Sequence, residues 1–297
     1  MSQADIPLRH AFVVVTGAST GIGAATAREL GQRGFHVLAG VRREADADAI
    51  RSANIEPSQL DITKEAEIAM LVKRIADDPA RRPLRALVNN AGIQVNAPVE
   101  ALPLSEWRRL FDVNLFGHVA MTQALLPALI ESRGTVVNVS SVGGKVAMAG
   151  YGPYAGTKFA LEAVSDALRR EVADFGVKVV VIEPGAVTTE MTGRLVIASE
   201  RITSGMTAEQ RGRYDALMRA VIAQAQTFTR EGVGLPAEVA GRVIADAIVS
   251  ERPRTRYTVG RDAAIIVRLA RYASDRMLDS LLARTLKRSL PKVQQRQ

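Results

Sequence analysis

Tyr154 and Lys158 are the two residues whose types and spacing are best suited to proton chemistry. They are four residues apart in a stretch predicted to be helical, so their side chains share one face. A free tyrosine titrates near ~10, too high for a good base at neutral pH, and a nearby ammonium favours the phenolate. We therefore expect Lys158 to lower the pKa of Tyr154 and to make it a general acid or base.

Other hydroxyl residues lie close to this pair in the sequence. Tyr151 precedes Tyr154 by three residues, but Ala155, four positions further on, leaves it without a lysine partner. We expect Tyr151 to form part of a pocket wall. Ser140 ends a predicted strand and Ser141 follows it, and alternation along the strand places the two side chains on opposite faces. A serine hydroxyl can both donate a hydrogen bond to a substrate oxygen and accept one.

A glycine-rich turn, TGASTGIG at 16–23, follows the first predicted strand and runs directly into a helix. Gly17, Gly21 and Gly23 allow the turn to tighten and backbone amides to approach a pyrophosphate. The helix N-terminus adds free N–H groups and a partial positive charge. This strand–turn–helix pattern predicts a dinucleotide site, and a tight loop without a ligand is the alternative.

The end of the second predicted strand bears on the choice of cofactor. In NAD-specific sites an acidic residue at this point binds the adenosine ribose. Here Val41 is followed by Arg42 and Arg43, so that carboxylate is missing and a guanidinium could pair with a 2′-phosphate. A solvated arginine pair is the alternative. The pattern favours NADP(H) and leaves NAD(H) possible.

These residues need a scaffold, and the alternation of apolar runs with helical patterns predicts one. The predicted strands cover 11–15, 36–41, 85–89, 135–140, 177–182 and 256–259, and the predicted helices 22–33, 64–76, 106–130, 155–174 and 236–250. Strands that are apolar throughout are typical of a parallel sheet covered on both faces. We predict one α/β domain over 1–297, a Rossmann-type doubly wound parallel sheet of about seven strands in a three-layer α/β/α sandwich.

Composition excludes several classes of protein. The 297 residues are 47% hydrophobic and 24% charged, as in a folded globular chain. The absence of cysteine excludes disulfides, thiolate metal sites and cysteine nucleophiles. His10, His36 and His118 are scattered and are expected to be surface or packing residues, so no metal is predicted. The first ten residues lack the apolar core of a signal peptide, and we expect a cytoplasmic protein.

The net charge of +8 is concentrated near the C-terminus. Residues 252–297 contain 12 basic and 3 acidic residues, whereas 1–251 contain 27 and 28. Because a nucleic-acid protein usually spreads basic residues over a face with interleaved aromatics, and aromatics are only 4% here, we expect no nucleic-acid partner.

Two segments interrupt the strand–helix alternation. Residues 190–235 are rich in glycine and are predicted to form short helices in a flexible insertion, a lid beside the substrate. Residues 261–297 form a basic extension whose part 262–288 is amphipathic. That part could pack on the protein's own core over the pocket or a subunit interface, which is the commoner fate, rest on a membrane surface, or bind an acidic partner.

Six motifs in order give the chain a strong resemblance to one family. They are TGASTGIG at 16–23, NNAG at 89–92, Asn114, Ser141, YAGTK at 154–158 and EPGAVTT at 183–189. Over about 10–260 the chain resembles the classical short-chain dehydrogenase/reductase family. VNLFGH and LRREVADFGVKVVVIEPG most resemble the branch of retinol, hydroxysteroid and hydroxybutyrate dehydrogenases.

The resemblance implies a catalytic role for four residues: Asn114 would fix a water that relays protons to Lys158, Ser141 would bind the substrate oxygen, and Tyr154 would be the acid/base. Lys158 would also hold the nicotinamide ribose, and Asp61 would contact the adenine amino group. The implied cofactor-binding residues are Gly17, Ser19, Gly21, Ile22, Gly23, Arg42, Asp61, Asn90, Ala91, Gly92, Tyr154, Lys158, Pro184, Gly185, Val187 and Thr189. A homodimer or homotetramer is also expected.

The candidate substrate residues are mostly apolar: Val142, Ala147, Met148, Tyr151, Ala186 and Met191. They favour a hydrophobic secondary alcohol and its ketone or aldehyde, interconverted by hydride transfer. The alternatives are a non-catalytic dinucleotide-binding regulator or scaffold on the same fold, and a protein that binds partners through its basic extension. Only the enzyme needs all four catalytic residues.

Overall fold

The computed structural model describes residues 10–227 and 233–288. Seven parallel strands form one sheet in the order β3-β2-β1-β4-β5-β6-β7. The strands are β1 Phe12–Val15, β2 His36–Val41, β3 Ile55–Gln59, β4 Leu84–Asn89, β5 Thr135–Val139, β6 Lys178–Pro184 and β7 Arg256–Val259. The predicted Rossmann-type sheet of about seven strands is confirmed.

Eleven α-helices connect and flank the strands in the part of the chain that the structure describes. They are α1 Gly21–Gln32, α2 Glu44–Ile50, α3 Glu65–Ala76, α4 Leu104–Phe111, α5 Gly117–Ser132, α6 Gly152–Glu171, α7 Glu190–Ser204, α8 Ala208–Thr227, α9 Ala237–Val249, α10 Arg261–Tyr272 and α11 Asp275–Arg288. The chain runs from β1 outwards to β3 and then returns to β4 on the other side of β1. This reversal opens a crevice at the carboxyl ends of β1 and β4, where ligands bind in such sheets.

Both faces of the sheet are buried, as the apolar strands predict. Successive residues of β1 alternate between two cores: Val13 and Val15 pack beneath α1 and α9, whereas Phe12 and Val14 pack beneath α3 and α5. Because one helical layer covers each face, β1 is apolar at every position.

The edge strand β3 and the helix α2 were not predicted. In β3, of sequence IEPSQ, only Ile55 is buried, and Pro57 is tolerated because the strand has a neighbour on one side only. In α2, of sequence EADADAI, only Ile50 is buried. Neither segment has the apolar pattern that reveals an element in a sequence.

The lid segment 190–235 differs from the short helices that we expected. It contains two long helices, α7 of 15 residues and α8 of 20, and residues 228–232 lie outside the described part. Ile202, Met206 and Met218 from this segment pack against Val95 and Leu110, which follow β4. This small third core joins the lid to the loop beyond the crevice.

The C-terminal extension forms α10 and α11, which break after Tyr272, and its residues 289–297 lie outside the described part. Ala263 is the one buried residue among 261–287. One face of the two helices is half-buried; the opposite face exposes Ile265, Tyr272, Met277 and Leu281. The expected packing on the core is thus limited to one side of the extension.

The predicted helix at 106–130 is a continuous helical run with an irregular centre. Helices α4 and α5 are joined by a π-helical turn, Asp112–Phe116. By length and composition Leu104–Ser132 could cross a membrane, but 44% of its apolar window is buried inside the protein, where α5 packs on the sheet.

Candidate active site

The glycine-rich turn between β1 and α1 needs glycine at several positions. Gly17 and Gly21 have φ angles of +63° and +56°, the left-handed region that favours glycine. A Cβ on Gly23 would lie 2.3 Å from the carbonyl oxygen of Gly17. The capping residue Thr20 makes no side-chain cap to α1, so the first N–H groups of the helix can bind an anion.

The NNAG loop after β4 is tied to this turn by hydrogen bonds. The Thr16 hydroxyl accepts from the N–H groups of Asn90 and Ala91 at 2.9 and 3.0 Å. The Asn90 side-chain amide donates to the carbonyls of Thr16 and Gly17 at 2.9 and 3.1 Å. Thr16 was not among the predicted site residues, although its place at the end of β1 was a usable signal.

Positive charge gathers at the end of β2. Ser19, Arg42, Arg43, Asp46 and Arg194 line a cavity of about 410 Å³. Arg43 donates two hydrogen bonds to Asp46, at 2.7 and 2.9 Å. The cavity therefore contains three guanidinium groups and one carboxylate, a composition that suits a phosphate.

Asp61, the predicted adenine contact, lies just beyond β3, beside Arg42. Its carboxyl accepts hydrogen bonds from the N–H and the hydroxyl of Thr63 at 3.0 and 2.7 Å. Burial alone would raise the pKa of Asp61, but the Thr63 hydrogen bonds and the Arg42 charge hold that pKa below its usual value. Asp61 is therefore an anion that can accept further hydrogen bonds.

Helix α6 brings Tyr154 and Lys158 to the crevice. Both are buried, and the Lys158 ammonium lies 5.8 Å from the centre of the Tyr154 ring. The ammonium donates to the carbonyl of Val139, at the end of β5, at 2.8 Å. The Ser141 hydroxyl hydrogen-bonds the phenol and accepts from the N–H of Gly143 at 3.0 Å. The structure thus brings Ser141, Tyr154 and Lys158 together. Ser140 is buried separately, with its hydroxyl beside Gly144.

The expected direction of the Tyr154 pKa is wrong for this structure. Burial raises the pKa of Tyr154 to about 12, although the Ser141 hydrogen bond opposes this. Burial also lowers the pKa of Lys158 to about 8, against the opposing charge of Glu162. Desolvation disfavours the charged form of both groups and outweighs the Ser141 hydrogen bond at Tyr154 and the Glu162 charge at Lys158. At neutral pH the phenol therefore keeps its proton.

Asn114 joins the loop after Gly92 to the catalytic helix. It is buried in the π-helical turn, where its side-chain oxygen accepts from the N–H of Ile93 at 2.9 Å. Its amide donates to the Ile93 carbonyl at 2.8 Å and to the Thr157 hydroxyl at 3.1 Å. These bonds position the side chain next to α6, and the water relay to Lys158 stays a prediction.

Comparisons with known proteins agree with this geometry. The model of the short chain dehydrogenase family matches residues 11–199, more than half of the chain. The chain belongs to this family. It is 35% identical to retinol dehydrogenase 7 of Mus musculus over 93% of this chain and 88% of that protein. It is 34% identical to 17-beta-hydroxysteroid dehydrogenase type 6 of Rattus norvegicus, over 93% and 89%. These relatives confirm the branch that the motifs indicated.

Among solved structures, a short chain dehydrogenase from Burkholderia cenocepacia in complex with NADP superposes with a TM-score of 0.71. It is 25% identical, and the match covers 93% of this chain and 98% of that one. As a short-chain dehydrogenase, the chain is an oxidoreductase with a nicotinamide dinucleotide cofactor, and the free helix end and the arginine-lined cavity fit such a group.

His118 of this short-chain dehydrogenase is one helical turn beyond Asn114. It is buried, and its Nε2 donates to the carbonyl of Ala91 at 2.6 Å. Burial lowers the pKa of His118 to about 3, so the ring is neutral. The residue is thus a packing residue, as expected, but one that fixes a peptide of the cofactor-binding loop. Its spacing of four from Asn114 was the available signal.

The loop after β6 closes the other side of the crevice. Pro184 ends β6, and a Cβ on Gly185 would lie 2.8 Å from the Ala263 side chain. The backbone at 186–188 bonds to Leu235, with Val187 bridged to it. Thr189 stands at the N-cap position of α7, and its methyl carbon would be 3.1 Å from a Cβ on Gly21. This loop therefore brackets the dinucleotide crevice of the short-chain dehydrogenase.

The predicted substrate residues fall into two groups. Val142 and Tyr151 flank Ser141 and Tyr154, whereas Ala147 is exposed and Met148 and Ala186 are half-buried. The Met191 methyl group lies near Gly92, 3.9 Å from where a Cβ on Gly92 would be.

Asn96 was not predicted as a site residue. It is buried and hydrogen-bonds Tyr151. Asn96 follows Gly92 by four residues and belongs to none of the motifs that the sequence analysis used.

Proposed function

We propose that the protein interconverts a hydrophobic secondary alcohol and its ketone or aldehyde, with NADP(H) as cofactor and Tyr154 as general acid/base. The observation that carries this proposal is the buried phenol of Tyr154, which hydrogen-bonds Ser141 and lies beside the Lys158 ammonium. When bound, the nicotinamide supplies or accepts the hydride.

The residues of the chain handle the proton. In reduction, Tyr154 donates its proton to the carbonyl oxygen, which Ser141 holds. Since the pKa of Tyr154 is raised to about 12 by burial, that proton is present at neutral pH. In oxidation the phenolate oxygen of Tyr154 accepts the proton of the substrate alcohol. Lys158 holds the ribose hydroxyls, and Asn114 holds the water that replenishes the proton.

The arginine-lined cavity supports NADP(H) over NAD(H). Arg42 follows Val41 where an NAD site would carry a carboxylate, and Arg43 adds a second guanidinium. A 2′-phosphate would replace the solvent of both groups with charge-assisted hydrogen bonds.

The surroundings of Tyr154 support an apolar substrate. Val142 follows Ser141, Tyr151 lies near Tyr154 and Met191 lies near Gly92, and each side chain is mostly carbon. The names of the relatives indicate retinol and hydroxysteroid as their substrates. Asn96, which hydrogen-bonds Tyr151, adds a polar group at the wall of the same region.

Tyr154→Phe tests the mechanism, with Tyr151→Phe as its matched control. Turnover on a panel of apolar ketones and secondary alcohols is followed by nicotinamide absorbance. We expect Tyr154→Phe to lose about 10²-fold or more in turnover with NADPH binding nearly unchanged, and Tyr151→Phe to stay active. Full activity of Tyr154→Phe would refute the assignment. NADPH binding without turnover on any substrate would favour the non-catalytic regulator.

We further propose a cytoplasmic homodimer or homotetramer with peripheral membrane contact through the C-terminal extension. Phe116 and Phe159 are 58% and 45% exposed on the neighbouring π-helical turn and α6, which supports self-association. The extension exposes Tyr272 and Met277 beside arginines, a combination that suits an anionic lipid surface.

A further inference from the structure

We propose that Arg194 of the lid helix α7 is a determinant of NADP(H) specificity, and that the 2′-phosphate holds the lid in place through it. The inference rests on the proposed function, because it concerns the same cofactor. Arg194 lies outside every motif that the sequence analysis identified.

The cavity at the end of β2 is assembled from three separate parts of the chain. Ser19 comes from the glycine-rich turn, and Arg42, Arg43 and Asp46 come from the junction of β2 with α2. Among the lining residues that the structure describes, Arg194 is the one that belongs to the lid. A ligand in the cavity would therefore contact the glycine-rich turn, the junction of β2 with α2, and helix α7 of the lid.

The start of α7 lies directly over the cofactor turn. Thr189, at the N-cap position of α7, is in contact range of Gly21. One turn further on, Arg194 donates to Glu190 at 2.9 Å and its charge helps to lower the pKa of Asp46, after the larger effect of the Arg43 hydrogen bond. The first turns of α7 and α2 therefore face each other across the cavity.

The charges favour a dianion over a neutral hydroxyl. Among the described residues, the cavity lining carries three guanidinium groups and the carboxylate of Asp46, and Glu190, which pairs with Arg194 and acts on Arg43, adds a second carboxylate beside it. One positive charge remains in excess. A phosphate monoester carries roughly −1.5 to −2 charges at pH 7 and accepts bidentate hydrogen bonds from arginine. The ribose 2′-hydroxyl of NAD(H) has no such charge, so contact with Arg194 would distinguish the two cofactors.

The same contact links the cofactor to the lid. The coupling between two linked equilibria is reciprocal. The binding free energy that NADP(H) gains from Arg194 therefore equals the free energy by which bound NADP(H) stabilises α7 in this position. Near the C-terminal end of α7, Ile202 packs in the small third core with Val95. Near its N-terminal end, Met191 lies close to Gly92. NADP(H), and not NAD(H), should therefore order the helices that cover the substrate.

Two readouts that need no turnover test this proposal. The first is fluorescence titration of NADPH and NADH into the wild type, Arg194→Gln and the control Arg201→Gln. Arg201 is also on α7 and similarly exposed, 64% against 56%, but pairs with Glu106 away from the cavity. The second is trypsin cleavage at Arg211 in α8, with each cofactor at saturation.

We expect Arg194→Gln to weaken NADPH binding about tenfold and NADH binding less than twofold, because a partly exposed charged contact is lost. Arg201→Gln should change neither. NADPH should slow cleavage at Arg211 more than NADH does, and Arg194→Gln should abolish the difference.

Three results would overturn the inference: equal effects of Arg194→Gln on both cofactors, no effect on either, or equal protection of Arg211 by NADPH and NADH. If the wild type still prefers NADPH and Arg42→Ala weakens it, the proposed cofactor stands and only the role of Arg194 fails. If the wild type prefers NADH, both fail. An active Tyr154→Phe enzyme refutes the catalytic mechanism alone.

Discussion

Raising the pH through the pKa of Lys158 should reduce carbonyl reduction before Tyr154 begins to ionise. Burial lowers the pKa of Lys158 to about 8, while burial raises that of Tyr154 to about 12. Between these two values Lys158 changes its charge and Tyr154 does not. A neutral Lys158 has lost the ammonium that holds the ribose, although the phenol still has its proton to donate.

The size of the effect follows from the shift itself. A fall of the Lys158 pKa from 10.5 to about 8 corresponds to roughly 3 kcal/mol of differential solvation between the two charge states. With one proton involved, kcat/KM for NADPH should be constant below pH 8 and fall about tenfold per pH unit above it. This parameter reports the ionisations of the free enzyme.

Glu162 provides a perturbation of this pH dependence. Its negative charge raises the pKa of Lys158 against the effect of burial, so Glu162→Gln should move the falling limb to lower pH. Glu171→Gln is the control, because Glu171 is exposed at the far end of the same helix α6. Glu162 also bonds Lys145 and Arg256, so thermal unfolding by circular dichroism must show that the variant is folded.

The assay is the steady-state reduction of an apolar ketone by NADPH from pH 6 to pH 10.5. A limb that begins only above pH 10 in the wild type would show that burial does not control Lys158. If Glu162→Gln leaves the pH at which kcat/KM falls unchanged, or if Glu171→Gln shifts that pH equally, the charge of Glu162 does not control the pKa of Lys158.

Two further predictions follow from the packing of the site. Gly23→Ala should weaken NADPH binding by more than tenfold in a fluorescence titration, because its Cβ would lie 2.3 Å from the Gly17 carbonyl oxygen. Gly212→Ala is the control, since its Cβ would have no atom of the described residues within 4 Å, and it should bind NADPH normally. Equal affinities of the two variants would contradict this prediction. The pKa of His118 in the folded protein, about 3, lies below its ordinary value of 6.5, so the unfolded chain binds one more proton between these values. The free energy of unfolding therefore decreases as the pH is lowered below about 6.5, by up to about 1.4 kcal/mol per pH unit. In urea unfolding at pH 7 and pH 5, His118→Gln should lose less stability than the wild type, and equal losses would refute this origin.

Local pattern was enough to predict the central sheet and the core of the site. The apolar run that forms β1 is typical of a strand covered on both faces, and its positions alternate between two cores. The spacing of four between Tyr154 and Lys158 placed both on one face of α6. The glycines at 17 and 21 have the left-handed φ angles that a turn into a helix needs.

Elements stabilised by their neighbours escaped prediction. The edge strand β3 owes its place to backbone pairing with β2, from Val37 with Ile55 to Val41 with Gln59, and its side chains carry little apolar signal. The lengths of α7 and α8 are likewise supported by the small core that they share with the loop after β4. A partner distant in sequence leaves no periodicity in the segment that it stabilises.

The amino-acid order determined which residues meet within one turn of helix or along one strand, because backbone geometry sets those distances. Only the tertiary structure decided how deeply they are buried. A lysine beside a tyrosine suggested an acidic phenol, but desolvation raises the Tyr154 pKa to about 12. The tertiary structure also brings Arg194 to the cavity that Ser19 lines, although Ser19 lies 175 positions earlier in the chain. Solvation and long-range contact depend on the whole fold, and no spacing between neighbours encodes them.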